Sequence, residues 1–207
     1  MIQLSKMHVP AKPSTPPTQI DVEAALRRIL EWIGEDPDRD GLRETPSRMA
    51  RAFREHFSGY QQDAGAILQK TFEETGGYDE MVVLRGVPFQ SHCEHHLAPI
   101  VGRAWIAYVP NKRVVGISKL ARVLEVFAKR LQIQERLTVQ IADAINEHLS
   151  PAGVGVVLKA THHCMSGRGV RVHQTDLVTT RLLGCIRESP MTRAEFLSMV
   201  KMHAGEE

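Results

Sequence analysis

With 207 residues, 43% of them hydrophobic and 24% charged, the chain has the make-up of one globular domain, or one domain with a smaller appendage. Twenty-six Lys and Arg against 24 Asp and Glu leave a formal charge of +2, which gives no global reason to expect nucleic acid or an anionic membrane as partner. No apolar run approaches the roughly 20 residues that span a bilayer. Residues 1–17 hold four prolines with Lys, Ser and Thr, lack the apolar core of a secretory signal, and predict a disordered tail.

A helical region is predicted over 18–80. Thr18 or Asp21 caps a first helix whose Val22, Leu26, Ile29, Leu30 and Ile33 share a face, and Gly34 ends it. Pro46 suits the first turn of a second helix carrying Met49, Ala50, Phe53 and Phe57, with a short helix following near 64–70. From Met81 the pattern changes to that of an α+β domain over 81–207. Met81–Leu84 and Ile100–Val109 are rich in β-branched and aromatic residues, and Pro110-Asn111-Lys112 supplies a turn. Two helices follow, one capped by Ser118 and bearing Leu120, Leu124, Phe127 and Leu131, the other with Leu137, Ile141, Ile145 and Leu149 at i+4 spacing. Val154, Val156, Leu158 and Ala160 alternate as a strand does, and Leu177–Cys185 and Thr192–Met202 read as a strand and a terminal helix. Two strands, two helices and two strands imply a mainly antiparallel sheet.

The chemistry concentrates in two places. Ser91–His96 packs a thiol, a carboxylate and three imidazoles into six residues, and His162-His163-Cys164 lies far downstream. A lone Cys or His is ordinarily core or surface. A Cys-x-x-His beside a distant His-x-Cys, among only three cysteines (93, 164 and 185) in a chain of cytosolic character, points instead to zinc. A turn aims Cys93 and His96 at one ion. Continuing the strand period from Ala160 puts His162 and Cys164 on one face and His163 on the other. Spacing leaves two arrangements open: a closed structural site of Cys93, His96, His162 and Cys164, or an open catalytic one made from three of these.

Weaker signals surround the pair. Ser118, Lys119 and Arg122 open a helix, where free N–H groups and partial positive charge suit a phosphate. Gln134 and Glu135 lie between two helices, and a carboxylate there accepts two hydrogen bonds from guanine that adenine does not offer. Arg168, between glycines, reaches for an anion. Arg48, on a helix, reads by itself as surface charge.

The chain resembles GTP cyclohydrolase I. The matching motifs are Cys93-Glu94-His95-His96, Gly116–Arg122, Arg130–Thr138, and His162-x-Cys164 leading to Arg168-Gly169-Val170. The likeness runs from about Asp21 to Val200. It implies the tunnelling fold, an antiparallel sheet backed by two helices with a helical N-terminal extension, assembled into barrels that stack as a homodecamer of two pentamers with active sites at subunit interfaces. It implies conversion of GTP and water to 7,8-dihydroneopterin triphosphate and formate, the entry to folate-type pterins. By motif, Cys93, His96 and Cys164 would hold one Zn2+ per subunit, and His95 and His162 would move protons. Gln134 and Glu135 would read guanine, Arg48, Lys119, Arg122 and Arg168 would hold the triphosphate, and Ser118 would lie near the ribose. This set favours the open site. The chain departs from the family pattern at His173, Leu177 and Ile186. The competing expectations are a paralogous tunnelling-fold enzyme acting on another purine or pterin, and a non-catalytic zinc-stabilised binding protein.

Overall fold

The computed structural model describes residues 15–69, 71–72, 77–111 and 113–204. The predicted tail up to residue 14 and the Lys112 end of the predicted turn lie outside them. By contacts the chain divides into a unit ending at Arg54 and a unit beginning at Glu55.

The first unit is helical. Helix α1 (Gln19–Trp32) starts with a capping box in which the Thr18 hydroxyl accepts from Asp21 N–H while the Asp21 carboxylate accepts from Thr18 N–H. Leu26 and Leu30 are buried, but Ile29 and Ile33, predicted on the same face, are 50% and 57% exposed. Gly34 at φ 93° ends the helix as its freedom from a Cβ allows. Helix α2 (Thr45–His56) follows, with Pro46 and Ala50 buried.

The second unit begins with a 3-10 turn, Ser58–Gln61, then α3 (Ala64–Leu68) and β1 (Thr71–Phe72). Next come β2 (Val82–Cys93), β3 (Pro99–Val109), β4 (Val114–Val115), α4 (Ile117–Ala128), β5 (Leu131–Gln132) and α5 (Gln134–Leu149). The chain ends with β6 (Gly153–His162), α6 (His163–Ser166), β7 (Leu177–Gly184), α7 (Cys185–Glu188) and α8 (Pro190–Ala204). Residues 58–68 belong to this unit and not to the N-terminal helices. Leu68 is fully buried in its core, and the Arg130 guanidinium donates to the carbonyls of Gly59, Gln62 and Val126.

The main sheet has the order β5-β2-β3-β6-β7, antiparallel except where β5 pairs parallel with the end of β2. The α+β expectation holds, with a two-residue parallel edge that no sequence period announces. Alternation explains the layers. Ala104, Ile106 and Tyr108 of β3 and Val154, Val156 and Leu158 of β6 join Leu120, Leu124, Leu137, Ile141 and Ile145 of α4 and α5 in one core. Trp105, Ala107 and Val157 point the other way and pack with Ile186 and Phe196. Gly155 leaves room for that ring, since a Cβ there would stand 2.8 Å from Phe196. The sheet is therefore backed by two helices, as expected, and its opposite face is also covered by the C-terminal segment. Ser118 does not cap α4; Gly116 holds that position, with no side-chain hydrogen bond. Among the described residues no helix is long and apolar enough to cross a membrane.

Candidate metal centre and its cavity

The first donors arise where β2 runs out of partner. His92 pairs with Pro99, and the chain then reverses. Leu97 N–H donates to the Cys93 carbonyl at 2.9 Å and Cys93 N–H to Ala98 at 2.9 Å, with Leu97 at φ 51° closing the turn. A non-glycine residue there carries strain that the surrounding hydrogen bonds must hold. The second set arises at the end of β6, whose last partner is Ile100, opposite His162. With no strand left to pair, the backbone winds into α6, and Gly167 N–H donates to the His163 carbonyl at 2.9 Å. The extended backbone predicted through Cys164 is thus absent; a helical turn carries Cys164 instead and separates it from His162.

Ligand atoms of Cys93, His96 and Cys164 all lie within 4.8 Å of one another. His162 is not in this group. Two sulfurs and one imidazole nitrogen are a donor set that zinc takes, with room left for a fourth ligand. Burial pushes the Cys164 thiol up, and the neighbouring Cys93 thiol pushes it further in the same direction. Like charges on two thiolates this close would repel, the electrostatic condition that a bound divalent metal relieves.

Charged and titratable groups frame the donors. Arg168 Nη1 donates to His96 Nε2 at 2.9 Å, which leaves Nδ1 on the Cys93 side, 4.0 Å from its sulfur. His95 is exposed, with Nδ1 3.7 Å from the same sulfur. Glu94 points away to an ion pair with Arg136, whose guanidinium also donates to the Leu131 carbonyl and Gln132 Oε1. The hydrogen bond from Arg136 holds the Glu94 carboxyl below its ordinary value. Sequence reasoning gave Arg136 no role, although it stands inside the Arg130–Thr138 motif.

The opposite side is built on the start of α5. Gln134 is fully buried, and its Oε1 accepts from His162 Nε2 at 2.8 Å. Its Nε2 shares its two hydrogens among three acceptors, the carbonyls of Leu158 (3.2 Å) and Leu177 (2.9 Å) and Thr179 Oγ1 (3.1 Å). The Gln134 amide predicted to read guanine is therefore fully engaged by the protein. Glu135, the next residue, is exposed and has no hydrogen-bond or ion-pair partner among the described residues. Burial lowers the His162 pKa, and Glu135 opposes that shift.

These groups surround a cavity of about 440 Å³ lined by Cys93, His95, Gln134, Glu135, His162 and Cys164, with Leu177 as an apolar wall. The volume lies in the range of small-molecule sites. Among the described residues no Lys or Arg lines it. Ser118 and Arg122 are exposed and Lys119 is half-buried, and none lines the cavity. Arg48 lies in the first unit, where its guanidinium pairs with Glu44 at 2.6 Å. The structure thus gathers the metal candidates, both histidines, Gln134 and Glu135 in one place, sets Arg168 against His96, and leaves Ser118, Lys119 and Arg122 outside the cavity. Thr138 and Thr179, which hold Gln134, were missed. Thr138 stands four residues after Gln134 on one helix face, the one sequence signal that links them.

The sequence matches the family model for GTP cyclohydrolase I over residues 22–201. It is 48% identical over 185 residues to GTP cyclohydrolase 1 of Sinorhizobium fredii (strain NBRC 101917 / NGR234), covering 89% of this chain and 90% of that one. Among solved structures, the chain is similar to an archaeosine synthase QueF-Like in the apo form at 16% identity and a TM-score of 0.42, over 50% of this chain and 93% of that one. It is also similar to a dihydroneopterin aldolase from Burkholderia thailendensis bound to guanine, at 11% identity and a TM-score of 0.33, over 50% and 91%.

Proposed function

Because the chain belongs to the GTP cyclohydrolase I family, an enzyme family with the tunnelling fold, we propose that it opens the purine ring of GTP at C8 and rearranges the product to 7,8-dihydroneopterin triphosphate, releasing formate. The observation that carries this reading is the Cys93, His96 and Cys164 cluster at the wall of a cavity that also holds His95, His162 and Glu135.

Cys93, His96 and Cys164 would hold a Zn2+ ion. A zinc held there would supply the Lewis acidity that lowers the pKa of water for attack at C8. His95 and His162 exchange protons with the purine nitrogens and the opening ribose, as an imidazole does near neutral pH. Glu135 accepts from N1–H and the 2-amino group of guanine, and with no hydrogen-bond or ion-pair partner among the described residues both its oxygens are available. Gln134 forms the wall beneath the base. Arg168, Lys119, Arg122 and Arg48 hold the triphosphate, with Ser118 near the ribose.

A triphosphate needs cations, and among the described residues of a single chain none lines the cavity. A neighbouring subunit supplies Ser118, Lys119 and Arg122 at an interface within a homodecamer of two pentamers. The open edges of the sheet support that assembly. β7 has no outer strand partner among the described residues, and β5 covers only the last two residues of β2. Three free cysteines suit a reducing, cytoplasmic setting.

The test is turnover of GTP by the zinc-loaded protein, following formate and the fluorescence of the oxidised pterin. Equal amounts of both, lost on chelation and restored by zinc, support the reading; zinc-loaded protein that makes neither refutes it.

A further inference from the structure

The hydrogen bonds around Gln134 leave one assignment of protons. Nε2 stands 3.2 Å from the Leu158 carbonyl and 2.9 Å from the Leu177 carbonyl. Carbonyl oxygens only accept, so the flipped amide would set oxygen against two oxygens. The NH2 group faces them, and Oε1 must face His162. Because Oε1 only accepts, His162 Nε2, at 2.8 Å, carries a hydrogen. The lone pair of the neutral ring is then on Nδ1.

The amide is itself pinned. Thr138 Oγ1 donates its one proton to the Gln134 carbonyl at 2.7 Å. Its 2.6 Å contact with Thr179 Oγ1 must therefore be donated by Thr179. Thr179 Oγ1 in turn accepts from Gln134 Nε2 at 3.1 Å. The result is a closed ring, Gln134 amide to Thr179 to Thr138 and back to the Gln134 backbone. Gln134 is fully buried and Thr138 1% exposed, so water does not take their place.

We propose that Gln134 is a positioning residue that, with Thr179 and Thr138 behind it, fixes the tautomer and orientation of His162 so that Nδ1 is the ring atom available for proton transfer in the GTP reaction. The clamp holds in both protonation states, since Nε2 donates to Oε1 in either. The proposal rests on the reading of His162 as a proton carrier, and it moves Gln134 from reading the base to holding the catalyst.

The variant Gln134→Met keeps length and removes the amide. At saturating GTP its kcat should fall about 100-fold, with GTP affinity within about twofold of the parent and metal content unchanged. In a His162→Ala background the same change should alter kcat by less than about threefold, because the two residues act as one unit. A GTP affinity weakened about tenfold or more with kcat unchanged would return Gln134 to the base and overturn the proposal. So would a full, independent loss in the double variant. Parent-like turnover by His162→Ala alone would overturn the proton-carrier reading and this proposal with it, a different result from either of those. Should Gln134→Met not assemble, Thr179→Val, isosteric and half-buried, carries the test. Its kcat should fall about 3- to 10-fold in the parent and not in the His162→Ala background, and an unaltered kcat would overturn the proposal.

Discussion

Cys93 is the last residue of β2, His96 lies on the turn that follows it and Cys164 on the helical turn after β6, and His95 beside them is exposed. Across the same cavity, Gln134 and Glu135 open a 16-residue helix, and Gln134 and Thr138 are buried and mutually bonded. One wall is made of turns whose donors converge, the other of a helix start welded to two strands. Soft donors on turns adjust to an ion, whereas a proton carrier and a base-reading carboxylate gain from being fixed beforehand. The contrast separates the two kinds of chemistry in the proposed reaction: metal capture and geometric control.

Variants on the turn wall should have the largest effects. Cys93→Ser or Cys164→Ser should lose zinc and lower turnover by about a thousandfold or more, as metal analysis and GTP turnover together will show. Retained zinc in both would mean that the donors lie elsewhere. His95→Ala should keep the metal and lower kcat by about 10²- to 10⁴-fold; a small change would restrict proton transfer to the helix wall.

On the helix wall the expected losses are in binding. Glu135→Gln should raise the KM for GTP by about 10- to 100-fold with zinc content unchanged, the loss of hydrogen bonds to a charged acceptor. An unaltered KM would remove Glu135 from base recognition.

The smallest effect concerns the brace behind the turn. The Glu94 carboxyl is held below its ordinary value by Arg136, so it favours the folded state above the carboxyl's usual pKa, and that contribution is lost as pH falls through the depressed value. Glu94→Gln should therefore flatten the acid limb of the thermal midpoint and leave the neutral region little changed. An unchanged acid limb would show that this ion pair does not brace the turn.

The sequence made the candidate metal donors legible because Cys-x-x-His and His-x-Cys are local patterns with few other uses. It misplaced the path to Cys164, since the alternation of β6 gives no notice that β3, its pairing partner, ends at Pro99. It misread the start of α4, where Ser118 and Gly116 both suit a cap and only the backbone decides. The longer helices, β3 and β6 were readable from their periods, whereas β2, which runs on from Leu84 to Cys93, was read only at its start, and β5, two residues long, has no period to read. The role of Gln134 was hidden for a different reason. A glutamine carries one acceptor and two donor hydrogens anywhere in a chain, and only the fold shows that Leu158, Leu177 and Thr179 already take the donors.

The most direct test of the account is the metal content of His162→Ala measured alongside its GTP turnover. The account predicts zinc retained at the parent level, one per chain, with turnover lowered by about 10²- to 10⁴-fold, because His162 is held by Gln134 and stands outside the metal group. Loss of zinc with the imidazole would contradict it and place His162 among the ligands, closing the site that the proposed reaction needs open.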